Sequence, residues 1–355
     1  MIAAALKLSA YFGESLAAGP DLASDALMGA LARHDLACTA LLRGIEGYGI
    51  NRRIHSERFP DVSTDLPLLA MAVGPREHVL AALADVDAAV PRGLVTFETA
   101  TLATGADVAR AAFPDSPGRA AKLTIYCRAG ERSSSGRPAY REAVALLRGT
   151  GATGAIVLRG VDGSIGGRRG RARLFGGDGA SPVIVISVGP AALLCRSLPK
   201  LASVLADPVV TLEGIAQVKH DGKLLEPPTA PLRGVGDRDV WQTIRVYTRR
   251  TAHVDGRPLY SELTRRLRMA GAAGATTIFG DWGFSSDEHP HGDRLGRLAS
   301  HRPTYTVYID RPDRVAEMWP LIDDATAEHG IVTSLLVPGY RERAGAAERG
   351  TLAGV

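Results

Sequence analysis

Apolar positions fall into short blocks rich in Val, Ile and Leu, separated by stretches of helical spacing, and the arrangement comes round three times. Strand-like segments Leu8-Ser9-Ala10-Tyr11, Leu123-Thr124-Ile125-Tyr126 and Ile244-Arg245-Val246-Tyr247 open the copies. About 33 residues later each has an apolar run ending in Gly44, Gly160 or Gly280, and a second glycine follows at Gly47, Gly163 or Gly283. About 22 residues after the first glycine, Pro67, Pro182 or Pro303 opens another strand. The segments Leu94–Phe97, Val209–Leu212 and Ile331–Ser334 close the copies. Four landmarks in one order and at matched spacing, three times over, mark tandem repeats.

Two helices fit between the strands of each copy. In copy three, Leu259, Leu263, Leu267 and Ala270 fall on one helical face while Arg265, Arg266 and Arg268 fall elsewhere. Pro20, Pro138 and Pro258 stand where a first helical turn can take a proline. Val79, Leu80, Leu83 and Val86 mark a second helix in copy one, as Val315, Met318, Trp319 and Ile322 do in copy three. Strand, helix, strand, strand, helix, strand is the ferredoxin-like split βαβ unit, an α+β fold. Its helices cover one sheet face and leave the other apolar face bare. Three such faces in one chain can bury each other around a pseudo-threefold axis, which predicts an intramolecular pseudo-trimer.

The expected domains are residues 1–104, 121–222 and 241–340. Proline-bearing linkers at 105–120 and 223–240 separate them, and a mobile tail is expected at 341–355. Composition narrows the setting. The chain has 355 residues, 45% hydrophobic and 23% charged, which is a globular composition. Its longest apolar run, near Val183–Leu194, is broken by Gly189 and Pro190 and falls short of a membrane span. The N-terminus lacks the features of a signal peptide, and Cys38, Cys127 and Cys195 are odd in number and far apart. A cytoplasmic protein not embedded in a membrane is expected. The net charge of +4 is too small to argue for nucleic acid.

Candidate chemistry concentrates after the second strand. Gly44, Gly47 and Gly49 permit close backbone approach, and their N–H groups can cradle an anion beside Arg43, Arg52 and Arg53. Copy two offers Gly160, Gly163 and Gly166 with Arg159, Arg168 and Arg169, and copy three offers Gly280 and Gly283. The plainer reading of the same residues is a glycine-rich hairpin exit with solvated arginines. Arg168, Arg169, Arg171 and Arg173 form a basic cluster that could bind an acidic partner or nucleic acid, or be a solvated, mobile loop, and with Phe175 as its one nearby aromatic the single-strand case is thin. Asp287, Glu288, His289, His291 and Asp293 could hold a metal, although Pro290 limits the geometry. No nucleophile elbow, zinc-protease motif or Cys–His pairing is present, so no enzyme is expected.

Arg43-Gly44-Ile45-Glu46-Gly47-Tyr48-Gly49 resembles the signature of domain of unknown function family 190. Gly136-Arg137-Pro138 before Tyr140, Gly256-Arg257-Pro258 before Tyr260, and Asp65-Leu66-Pro67 extend the resemblance. That family is similar to the PII signalling proteins, which are ferredoxin-like trimers. The resemblance implies a small ligand, often an adenine nucleotide, held in clefts between units. It also implies a long T-loop between the second and third strands that contacts a partner protein, with a membrane channel or transporter among the candidates. Copy two lacks the aromatic of the signature, and copy three loses its arginine and final glycine, so the three clefts are not equivalent. Two alternatives stand beside this sensor: an assembly protein with empty clefts, and a metal-handling module like trimeric copper-tolerance proteins.

Overall fold

The architecture is that of a computed structural model. It describes the whole chain except residues 50–51, 58–64, 114–119, 172–178, 229–239, 286–290, 293–301, 345–346 and 353–355. Copy one has strands Ile2–Gly13, Cys38–Arg43, Pro67–Pro75 and Gly93–Thr104, with helices at Ala23–Leu31, Arg76–Ala81 and Leu83–Ala89. Copy two has strands Ala120–Arg128, Gly154–Arg159, Pro182–Pro190 and Val209–His220, with helices Ala139–Gly149 and Ala191–Val204. Copy three has strands Trp241–Arg249, Ala275–Phe279, Pro303–Asp310 and Ile331–Val337, with helices Leu259–Met269 and Pro312–Ala325. In each copy the first strand lies between the fourth and the third, and the third pairs outward with the second, all antiparallel. The third strand opens at Pro67, Pro182 or Pro303, as the spacing predicts. Pro138 and Pro258 sit one residue ahead of the first helical turn rather than in it, and Pro20 lies further out.

Each copy keeps an apolar core beneath its helices. The opposite sheet faces meet in one shared core, to which Leu42 and Met71, Ile156 and Ile186, and Ile278 and Val307 come from copies one, two and three. Within this centre, Lys7, Lys122, Arg245, Glu98 and Glu213 are all buried, none more than 4% exposed.

A short root strand after the second strand ties each copy to another. Copy one's Glu46–Tyr48 pairs with copy three, copy three's Trp282–Ser285 with copy two, and copy two's Asp162–Ile165 with copy one. The register is the same each time: Gly47 faces Thr276, Gly283 faces Ile156 and Gly163 faces Ala40. The glycine is needed for this approach. A Cβ there would stand 2.5 Å from the Ala275 carbonyl oxygen, 2.3 Å from that of Ala155, or 2.1 Å from that of Thr39. Gly163→Val is therefore expected to cost about 1–3 kcal/mol or more. Gly149→Ala, at a helical position without a positive φ where a Cβ meets open space, should cost less. Urea unfolding of both variants checks this; equal midpoints would show that the seam yields.

The fourth strands make a second ring. Val209–Leu212 pairs with Thr101–Thr104, and copy two's end, Ala216–His220, pairs with Ile331–Ser334. The third seam is closed by a strand that begins at the end of copy three and runs into the tail expected to be mobile at 341–355. Gly339–Ala344 pairs with Gly93–Phe97 and turns back on Ala347–Thr351 as a hairpin. This is a correction: little in the Arg/Glu/Ala/Gly composition shows a strand whose partner lies in another copy. Of the segments read as linkers, Gly105–Arg110 is a 3-10 helix, and 114–119 and 229–239 lie outside the described residues. Among the described residues no helix is long and apolar enough to cross a membrane.

Candidate functional site

A cavity of about 310 Å³ opens where copy one's root strand meets copy three. Gly47 and Gly49 line it from copy one, and Ala273–Thr276 close it from copy three. Tyr11, Phe12, Leu94, Val307 and Ile309 give it apolar walls. Its polar groups include Arg53, His55, Asp65 and Arg92 of copy one and Glu342 of the terminal hairpin. Asp65 is held against the floor, accepting a hydrogen bond from the Ser15 N–H (2.8 Å). It crowds Gly13, where a Cβ would lie 2.4 Å from the Asp65 Oδ1. His55 Nδ1 is buried without a hydrogen-bond partner among the described residues. Burial raises the Glu342 carboxyl above its ordinary range. Arg53 and Arg92 are exposed at the cavity and make no hydrogen bond or ion pair among the described residues. Two uncommitted guanidinium groups over apolar walls suit an anionic ligand with a flat apolar part.

The structure sorts the sequence candidates. Gly47 and Gly49 line this cavity. Gly44 packs on Pro67, and its N–H donates to the Pro67 carbonyl (2.7 Å). Arg43 turns away to Glu14 (3.0 Å) and Glu57 (2.9 Å), and the Glu14 carboxylate raises its pKa. Arg52 adopts a left-handed backbone (φ 50°) and reaches the Gly271 carbonyl (3.4 Å). In copy two, Arg159 pairs with Asp281 of copy three (2.5 Å), Gly160 packs on Pro182, and Gly163 lies against Thr39. Gly166 stands in open space and Arg168 is exposed. Arg169 is locked in a two-point hydrogen bond on Asp162 (3.0 and 2.8 Å). Arg173 lies outside the described residues. In copy three, Gly280 packs on Ile156 and Pro303, and Gly283 lines a separate cavity of only about 20 Å³.

Asp287, Glu288, His289 and Asp293 lie outside the described residues, among which no group of three His, Cys, Asp or Glu could hold a metal. Sequence reasoning missed Arg92 and Glu342. Arg92 stands just before the fourth strand, far from the glycine signature, and Glu342 lies in the hairpin read as a tail. Arg53 was singled out beside Arg43 and Arg52, but only the fold separates the three.

Comparison with known proteins bears on the whole chain. A solved structure titled "Crystal Structure of Aspartate Kinase from Synechocystis" is similar at 14% identity and a TM-score of 0.25. The match covers 96% of this chain and 45% of that one. The chain thus spans less than half of that protein's length, and a likeness this low carries no argument. The model of the family DUF190, described as "Uncharacterized ACR", matches residues 5–102, 120–217 and 241–338. These three matches take in most of the sequence and coincide with the three copies, so the chain belongs to the DUF190 family, with three copies of its domain in tandem.

Proposed function

We propose that this chain is a non-enzymatic PII-like sensor that binds a small anionic ligand, with an adenine nucleotide the first candidate, between copies one and three. The strand order fourth, first, third, second with both helical elements on one face supports reading each copy as a ferredoxin-like unit. The shared core and the two rings of strand pairing support a pseudo-trimer made within one chain. The observation that carries the ligand reading is the 310 Å³ cavity, with apolar walls and the uncommitted Arg53 and Arg92, at the root of copy one's T-loop segment. That volume is at the lower end of the roughly 300–1,000 Å³ of small-molecule pockets. A ligand there would bridge two copies and touch the root of the loop, which then meets a partner protein, a channel or transporter among the candidates. Cys38, Cys127 and Cys195 are free thiols, in keeping with a reducing cytoplasm.

Thermal shift against a panel of adenine nucleotides, cyclic dinucleotides included, with and without Mg²⁺, tests this. A ligand at 100 times its Kd would add about 2.7 kcal/mol. Arg53→Ala and Arg92→Ala are each expected to weaken binding about tenfold or more. Arg43→Ala and Arg159→Ala, whose guanidinium groups are already paired, should leave it within about twofold. No shift with any nucleotide would favour the assembly reading, which the 20 Å³ cleft between copies two and three already fits.

A further inference from the structure

We infer that this chain binds one ligand rather than three, because the position that Gly13 occupies in the open cleft holds an arginine in each of the other two. The inference rests on the sensor reading above. Aligned on their Tyr and Pro landmarks, the copies place Gly13, Arg128 and Arg249 at one position at the end of the first strand. The cleft between copies three and two has the same framework as the open one. Tyr247, Gly283, Pro303, Ile186 and Val188 stand where Tyr11, Gly47, Pro67, Val307 and Ile309 stand.

Three differences fill that cleft: Arg249 for Gly13, Ile156 for Thr276 and Ile331 for Leu94. Ile331 Cδ1 comes within 2.7 Å of where a Cβ on Gly154 would be. The remaining 20 Å³ has room for about one water. Beside it, a separate hollow of about 220 Å³ is lined by Asp221, Arg249, Ser285, Glu328 and His329, so two carboxylates accompany the guanidinium, and His329 takes the place of Arg92.

The cleft between copies two and one differs from the open one in other ways. Arg128 donates through Nη1 to the Ile165 carbonyl (3.3 Å), across the root strand. Arg169, which matches Arg53, is bound to Asp162. Asp207 matches Arg92, so the charge at that mouth is reversed. Among the described residues, the cleft between copies one and three combines a glycine floor, two guanidinium groups without a partner and a cavity of about 310 Å³. Its Gly13 goes with Asp65, whose counterpart in copy two is Ala180. A homotrimer of identical units would carry three equal sites and could respond in steps. This chain would respond with a single saturation curve.

Two measurements on the full chain test this. Calorimetric titration with ATP should give one site per chain, and Arg53→Ala should weaken that site about tenfold or more and leave none at the wild-type affinity. Two or three sites, or a site that keeps the wild-type affinity in Arg53→Ala, would overturn the single-site inference and leave the sensor reading standing. No heat at all would instead overturn the nucleotide reading. The second measurement needs no ligand. In a Cys195→Ser background, Ile309→Cys and Val188→Cys occupy matching places in the open and closed clefts. An anionic methanethiosulfonate reagent should modify Ile309→Cys at least tenfold faster. Equal rates would mean that the second cleft is open, whatever the ligand.

Discussion

Glu98→Gln is expected to destabilise the chain by about 3–5 kcal/mol, whereas Lys122→Met, at its hydrogen-bond partner, is expected to be neutral or stabilising. The reason is the charge inventory at the centre. Lys7 reaches Glu213 (2.7 Å) and Glu98 (3.3 Å), and Lys122 reaches Glu98 (3.1 Å) and Glu213. Arg245 binds Glu98 and donates to the Tyr305 hydroxyl (2.9 Å). Three bases therefore face two carboxylates out of water. The imbalance arises because copy three has Thr243 and Leu335 where copies one and two have a Lys–Glu pair, while Arg245 enters from the next rung.

Burial and the nearby Arg245 hold the Lys122 ammonium well below its ordinary pKa, so of the three bases it gives up a proton most readily. Burial alone would raise the Glu98 carboxyl, but Arg245, Lys122 and Lys7 together hold it well below the usual range. The two groups act in different pH windows. Between the lowered value of Lys122 and the ordinary lysine value of about 10.4, the unfolded chain binds the extra proton, so stability rises with pH. Glu98 contributes stability that is present above about 4.3 and is lost as pH falls through its lowered folded value. Urea unfolding at pH 7 and pH 9.5 reads this out: wild type should gain stability over that interval relative to Lys122→Met. Equal losses for the two variants, or parallel pH profiles, would refute the inventory.

How far the sequence discloses this protein depends on what kind of demand each residue answers. The repeats are legible because their landmarks are backbone demands. Gly47, Gly163 and Gly283 each sit where a Cβ would strike a carbonyl of another copy, and Pro67, Pro182 and Pro303 each open a strand and pack on the preceding glycine. Side-chain direction is not legible in the same way. Arg43 and Arg53 are both arginines beside glycines, and only the placement of Glu14 and Glu57 turns the first aside. The inequality of the copies is partly visible as decay of the glycine signature, yet the position where Gly13 faces two arginines lies about 35 residues upstream. Comparing the three copies position by position, Gly against Arg and Arg, is the signal that would have found it. The hairpin had no such signal, because its strand Gly339–Ala344 pairs with residues more than two hundred positions away.

That hairpin carries the other large expected effect. Tyr340→Ala should cost about 3–5 kcal/mol, as for other fully buried aromatic side chains, and should also impair the ligand site. Tyr340 is 1% exposed and stacks on Trp241, with ring centroids 3.3 Å apart and planes 8° from parallel. Arg349 covers the same indole at 5.6 Å. Arg341 and Arg343 both reach Asp87 of copy one, which fastens the strand across the seam. Tyr340 and Glu342 are also part of the wall of the 310 Å³ cavity, so one side chain serves both the closure of the ring and the shape of the site. Removing the ring uncovers Trp241, and its emission should move to longer wavelength while the rest of the chain stays folded. Asp87→Asn leaves the buried Arg341 without its carboxylate, so it should cost about 1–3 kcal/mol and leave the emission unchanged. If Tyr340→Ala kept wild-type stability and emission, the hairpin would be an ornament on the third seam rather than its closure. If it lost stability but bound ATP as wild type does, the strand would close the ring without shaping the cleft.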